Sequence, residues 1–249
     1  MKYISTCGSI KNTKIYDKPN EDIVLCDDER KIYILLDGVS RDKINGKYPS
    51  PSPAREVSEL FAKEAYDYLK KSDGKYELKY IKDAFIKGNE AIEHYNIKYY
   101  DFLPGTVGIV CCIYKDRLYY GYIGDCYGRL IRNDEILVFT KCQTEKIAIH
   151  KKEYSSKEIR NEICNNIKHP YGYGVLTGQK EALDFVVFGE YCLNNVDMVF
   201  LSSDGIEPFL AGLSREDFVN GDATYYLEKS VMDTEEDDKA VIIISKKGD

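Results

Sequence analysis

The chain has 249 residues, 43% hydrophobic and 31% charged, with 7 prolines, which is enough apolar content for a packed core and excludes a disordered or low-complexity chain. A formal charge of −7, with no basic block, excludes charge-driven binding to nucleic acid or to an anionic membrane. No run approaches the roughly 18 to 20 uncharged apolar residues of a membrane span, and Met1-Lys2-Tyr3 opens no signal peptide. A single domain over residues 1–249, cytoplasmic and monomeric, is the expectation.

In chain order, strands are predicted at residues 2–6, 22–26 and 31–36. Ser52-Pro53 then starts a helix as a cap followed by proline at the first helical position. Val57, Leu60, Phe61, Ala65, Tyr68 and Leu69 fall on one face of it. After the Asp73-Gly74 turn, Leu78, Ile81, Phe85, Gly88, Ile92 and Tyr95 recur at steps of three and four, which predicts a second amphipathic helix. Residues 106–114, 118–123, 128–132 and 135–139 are short runs split by polar turns, Lys115-Asp116-Arg117 and Asn133-Asp134, as in an antiparallel meander. The stretch 144–178 is polar, with one helix predicted at 156–168, and stands out as an insertion. Further strands are expected at 183–189, 198–202 and 240–245, and short helices at 206–211 and 223–231. The runs VGIVCCIY, MVFLSS and VIIIS are apolar at every position, so their strands are covered on both faces. Two stacked sheets with helices outside satisfy that pattern.

Eight cysteines are present, but Cys26, Cys111, Cys112 and Cys192 lie in or beside strand-like runs, where a free thiol behaves as a small hydrophobe. No Cys-x-x-Cys occurs, and none of the three histidines is near a cysteine pair, so a zinc site is not expected. The informative residues are acids at the ends of the most apolar strands: Asp37, Asp125, Asp204 and Asp237, with Glu21-Asp22 opening another strand. A carboxylate at the rim of a hydrophobic sheet is costly unless solvated, hydrogen-bonded or metal-bound. One Asp-Gly pair such as Asp37-Gly38 is an ordinary turn. Four acids that could share one sheet end suggest oxygen ligands for a hard cation such as Mg²⁺ or Mn²⁺.

The ordered series Asn20-Glu21-Asp22, LLDGVS (35–40), PGTVG (104–108), YIGDCYGRL (122–130), FLSSDG (200–205) and DDKAVIII (237–244) resembles the PPM family of metal-dependent protein phosphatases, type 2C. The resemblance implies an α+β fold, a four-layer αββα sandwich with two metal ions at one end. It also implies a substrate of phosphoserine or phosphothreonine in proteins, the product of a Ser/Thr kinase, and a role in signal transduction. On the family pattern Asp37 would bridge both ions and the Gly38 carbonyl would bind one, while Asp204 and Asp237 would complete the other. Glu21 and Asp22 would hold waters or add a ligand, and Asp125 would help Asp204 hold a third, weaker ion. Hydrolysis would then be direct, by water activated between two cations about 3.5–4 Å apart. The insertion at 144–178 corresponds to the family's flap beside the catalytic mouth, with Tyr171-Gly172-Tyr173-Gly174 as its joints. Two departures follow the family comparison. No histidine follows Asp37-Gly38, where Val39-Ser40-Arg41 stands. Asp17 occupies the place of the phosphate-binding arginine, which leaves Lys18, or alternatively Arg41, to contact phosphate.

Cys126 and Arg132 formally fit the Cys-x5-Arg pattern of cysteine phosphatases, as do Cys111 and Arg117. Neither is followed by the helix whose N-terminus would cradle phosphate and acidify the thiol. A haloacid-dehalogenase reading wants an acid two residues after Asp37, where Val39 stands. Two other functions stay open at this stage: a non-catalytic PPM-like binding or regulatory domain, and a phosphohydrolase acting on a small phosphoester.

Overall fold

A computed structural model describes residues 2–15, 17–39, 46–99, 102–132, 135–231 and 237–247. Ser40, Arg41 and the Asn133-Asp134 turn lie outside the described residues. Among the described residues ten strands are formed: β1 (Lys2–Ile10), β2 (Ile23–Asp27), β3 (Ile32–Val39), β4 (Gly105–Tyr114), β5 (Arg117–Ile123), β6 (Tyr127–Arg132), β7 (Ile136–Val138), β8 (Val187–Cys192), β9 (Val196–Ser202) and β10 (Lys239–Lys247). They build two five-stranded sheets, in the orders β1-β10-β9-β6-β7 and β2-β3-β4-β5-β8. All the named pairings are antiparallel. The predicted meander is therefore divided: β4 and β5 belong to one sheet and β6 and β7 to the other, with the chain crossing between them at residues 124–126.

Period-two alternation explains why so many strands are apolar throughout. Tyr33 and Leu35 of β3, Ile109 and Cys111 of β4, Val199 and Leu201 of β9, and Ile242 and Ile244 of β10 meet between the sheets. Their neighbours Ile34, Leu36 and Val110 point the other way, under α1 (Pro53–Leu69) and α2 (Leu78–Asn96). On the opposite outer face, Phe200, Val241 and Ile243 are covered by Phe218, Tyr226 and Leu227. The αββα order expected from the sequence is what forms.

Helix α1 starts as its sequence dictates: the Ser52 side chain accepts from the Arg55 backbone N–H, and Pro53 sits at the first helical position. Its buried face is Ala54, Val57, Phe61, Ala65 and Leu69. Gly88 of α2 lets the two helices close on each other, since a Cβ there would stand 2.3 Å from the Phe61 ring.

The remaining helices are α3 (Glu145–His150), α4 (Ser156–Glu158), α5 (Glu207–Leu210), α6 (Arg215–Asn220) and α7 (Ala223–Ser230). The periodicity indicated neither α3 nor α6; α6 carries a capping box between Ser214 and Asp217. The helix predicted at 156–168 is instead a single α turn, α4, followed by a π turn at Ile159–Ile163. It stops there because Asn165 adopts a left-handed φ of 56° and its side chain bonds Val175 and Thr177. The apolar residues at 183–185 begin no strand. Lys180–Phe185 is a 3-10 helix, and β8 starts only at Val187.

Candidate metal centre

Each of the strand-end acids arrives from a different part of the sandwich. Asp37 is the sixth residue of β3, and its carbonyl accepts from the Thr106 hydroxyl at 2.9 Å. Asp204 opens the one-turn helix after β9. Asp125 lies in the crossing between β5 and β6, where its Oδ2 accepts from the Thr144 hydroxyl at 2.9 Å. Carboxylate oxygens of Asp37, Asp125 and Asp204 lie within 4.8 Å of one another, a group of acids that could hold a metal ion. Asp204 Oδ1 is buried and has no hydrogen-bond partner among the described residues, which is the position of an oxygen left for a ligand other than protein.

Asp22 and Glu21, on the approach to β2, are both buried. Asp22 Oδ2 accepts from the Ser203 hydroxyl at 2.8 Å. Ser203, next to Asp204, also accepts from the Ala240 N–H at 2.8 Å, so it ties the ends of β9 and β10 to Asp22. Glu21 Oε1 accepts from the hydroxyl of Ser52, the cap of α1. Gly38 sits against Glu21: a Cβ there would lie 2.8 Å from Glu21 Cβ and 2.9 Å from its carbonyl oxygen. The residue expected to offer a bare carbonyl is thus also the one where no side chain fits.

Lys18 and Asp237 meet each other. The Lys18 ammonium is buried and bonds Asp237 Oδ1, with Asp238 Oδ2 at 3.7 Å. The Asp238 N–H also donates to Asp237 Oδ1, at 2.9 Å. Both bonds fall on Oδ1, leaving Oδ2 as the oxygen available to a cation. Asp237 is consequently not one of the three converging acids. The sequence leaves Lys18, or alternatively Arg41, to contact phosphate; the structure sets the Lys18 charge on two carboxylates at the edge of the cluster.

The electrostatics are those of acids short of positive charge. Burial, followed by the neighbouring Asp22, Asp204, Asp237 and Asp125, pushes the Asp37 carboxyl well above the usual range. Asp22 is raised in the same way, its bond from Ser203 opposing the shift. Burial raises Asp125 also, against the Thr144 bond. Burial, with Asp125 and Asp237, pushes Asp204 up to about 7. Burial alone would lower Lys18, but Asp237 and Asp238 outweigh it and hold the ammonium charged. An all-oxygen set with unmet negative charge fits a hard divalent cation.

Two further residues hold the acids in place. Asp238 is buried and accepts from the Asn12 N–H (2.9 Å), the Asn12 side chain (3.2 Å) and the Glu21 N–H (2.9 Å). It pins the segment before β2 to the start of β10. Ser52, which the sequence marks only as a helix cap, also donates to Glu21. The only trace of Asp238 in the sequence is its place beside Asp237.

The cysteine alternatives fail on geometry. Cys126 is buried, and burial with the nearby Asp37 and Asp125 raises its thiol well above the ordinary value; Cys111 is buried between the sheets and raised likewise. Their formal arginine partners are engaged elsewhere, Arg132 with Glu135 and Arg117 with Glu190, each at 2.8 Å. A cavity of about 690 Å³ opens beside Asp125 and is walled by Phe102, Leu103, Ile147, Arg160 and Tyr173, most of them from the insertion.

No protein-family model matches the sequence, and a search of curated proteins finds no match. Solved structures do match. The serine/threonine phosphatase PstP/Ppp of Mycobacterium tuberculosis superposes with a TM-score of 0.74 at 18% identity, over 100% of both chains. The catalytic domain of PstP in complex with two manganese ions gives 0.73 at 19% identity, over 98% of each chain. The serine/threonine phosphatase Stp1 of Staphylococcus aureus gives 0.62 at 16% identity, over 98% of this chain and 95% of that one. The chain shares its whole fold with these phosphatases, in line with the resemblance drawn from the ordered acidic motifs.

Proposed function

We propose that the chain is a divalent-metal-dependent phosphatase acting on phosphoserine and phosphothreonine in proteins. The observation that carries this reading is the convergence of Asp37, Asp125 and Asp204, with an oxygen of Asp204 buried and unpartnered among the described residues, in the fold shared with PstP and Stp1.

In this reading Asp37, the Gly38 carbonyl, Asp204 and Asp237 hold two cations, and Asp125 with Asp204 takes a third. Bound there, the ions supply a water acidified towards neutral pH and counter-charge for the phosphoryl group in transfer. Mn²⁺ is the first choice, since the similar PstP domain is described with two manganese ions; the donors suit Mg²⁺ as well. Ser203 orients Asp22 and Ser52 orients Glu21, so both acids face the site as fixed acceptors for water. Lys18 offers its ammonium to the substrate phosphate while staying anchored on Asp237. The reading needs no side-chain nucleophile, and burial keeps Cys126 a neutral thiol. His94, His150 and His169 lie against the Glu90 carbonyl, Glu153 and Tyr171, and among the described residues none joins the converging group Asp37, Asp125 and Asp204, so the leaving alkoxide takes its proton from water. The cavity beside Asp125 makes the 144–178 insertion a wall for the protein substrate. A monomeric single domain in the cytoplasm, opposing a Ser/Thr kinase, completes the reading.

The test is hydrolysis of p-nitrophenyl phosphate and of a phosphothreonine peptide with Mn²⁺, with Mg²⁺ and with excess chelator. Full turnover in chelator would remove the metal mechanism. Turnover of free phosphometabolites with none of phosphopeptides would replace the protein substrate by a small phosphoester.

A further inference from the structure

β1 and β2 are edge strands of opposite sheets, and they meet along a polar seam. At one point Ser5 of β1 donates to Asp28 just past β2, from its N–H to Oδ2 at 3.0 Å and from its hydroxyl to Oδ1 at 2.7 Å. Farther along, the Ser9 hydroxyl lies 3.4 Å from the Asp22 carbonyl. The two strands therefore run antiparallel past each other. Side chains two apart on a strand share a face, so Cys7 lies on the Ser5 and Ser9 face between these two anchors, where its thiol interacts with that of Cys26. Both are free thiols, Cys7 exposed and Cys26 half-buried.

We propose that Cys7 and Cys26 form a reversible disulfide, a redox clasp joining the edge strands of the two sheets. The chemistry of the pair suits the step. The Cys26 thiol, as hydrogen-bond donor, draws Cys7 down to about 7, and the same contact with burial pushes Cys26 up. Cys7, the exposed member, meets the oxidant first and is the nucleophile, and half-buried Cys26 is the resolving thiol. With a peroxide as oxidant, the Cys7 thiolate attacks one oxygen; the O–O bond breaks, an S–O bond forms and one water leaves. The Cys26 sulfur then attacks the Cys7 sulfenic sulfur, the S–S bond forms, and the hydroxyl departs with the Cys26 proton as a second water. Two thiols and one hydrogen peroxide give one disulfide and two waters. The ring so closed, residues 7–26, contains Asn12, Lys18, Glu21 and Asp22, so oxidation tightens the segment that borders the acidic cluster. The inference does not depend on the phosphatase reading.

The full-length protein is treated with stoichiometric hydrogen peroxide, alkylated and digested with trypsin. The expected result is a mass lower by about 2 Da before alkylation, a cross-link between peptides 3–11 and 15–30, and its loss on reduction with dithiothreitol. The melting temperature rises by about 5–10 °C on oxidation, the effect of closing a ring of this length. Cys7→Ser shows neither the cross-link nor the rise. Oxidation of Cys7 to a sulfinic acid with Cys26 still free, a cross-link through any other cysteine, or no intact species lighter by that mass would overturn the proposal.

Discussion

Replacing Asp238 with alanine removes a buried carboxylate that two backbone donors and a side chain share. The Asn12 and Glu21 N–H groups, both bonded to it at 2.9 Å, would lose that acceptor. Each such loss costs about 1–3 kcal/mol. Lys18 retains Asp237 and adds little to the loss. A destabilisation of about 3–5 kcal/mol follows, a fall in melting temperature of roughly 6–20 °C for a chain of this size. Asp238→Asn keeps the shape and one acceptor oxygen, and should lose about 1–3 kcal/mol. Urea titration and thermal melting at pH 7, with and without Mn²⁺, would measure both. The alanine variant should also lose turnover, because Glu21 and Lys18 are set by the same anchor. An Asp238→Ala protein melting within about 2 °C of wild type would refute the reasoning, since something else would then hold the segment before β2.

Asp37→Asn should abolish hydrolysis yet leave the metal-free protein as stable as wild type or more so, because it removes one of several crowded acids; a metal-free melting point well below wild type would show Asp37 to be structural. Lys18→Ala should lower kcat/KM by roughly ten- to 150-fold, the worth of one charged hydrogen bond, and tighten Mn²⁺ binding by releasing Asp237. Wild-type kinetics in that variant would return the phosphate contact to Arg41 or to the cations alone. Asp22, Asp37 and Asp204 have folded pKa values above their unfolded ones, so the folded state holds protons that the unfolded state gives up above about pH 4. In chelator, stability should therefore fall as pH rises from about 4 through the Asp204 value of about 7. Mn²⁺ should flatten that fall, and a chelated melting point that rises across this window would contradict the clustering of the acids.

The sandwich was legible because its strands are short, bounded by polar turns and apolar on both faces, which only a middle layer explains. Asp37, Asp125 and Asp204 were legible for a local reason as well: each follows an apolar run, where an acid is expensive. The place of Asp237 was not: that it turns to Lys18 instead of joining the other three depends on a contact between residues 219 positions apart, which leaves no trace in a local window. Asp238 bonds Glu21 across 217 positions and reads in sequence as an ordinary acidic turn. The error at 183–185 was of another kind. Leu183 and Phe185 alternate like a strand, but they pack from a 3-10 turn against the helical side of the sheet.

The crossing at residues 124–126 gives the acidic cluster a mechanical meaning. Asp37 rides on the β3 sheet, Asp204 on the β9 sheet, and Asp125 on one of the straps between them, the crossing from β5 to β6. The gaps among the three oxygens therefore act as a vernier for the slide of one sheet over the other. A substitution deep in the middle layer, at Leu35 or Leu201 for example, need not touch any acid to retune the cluster. A shear of a few tenths of an ångström between the layers would change how well a small cation is gripped, and a gripped cation would in turn lock the layers in register.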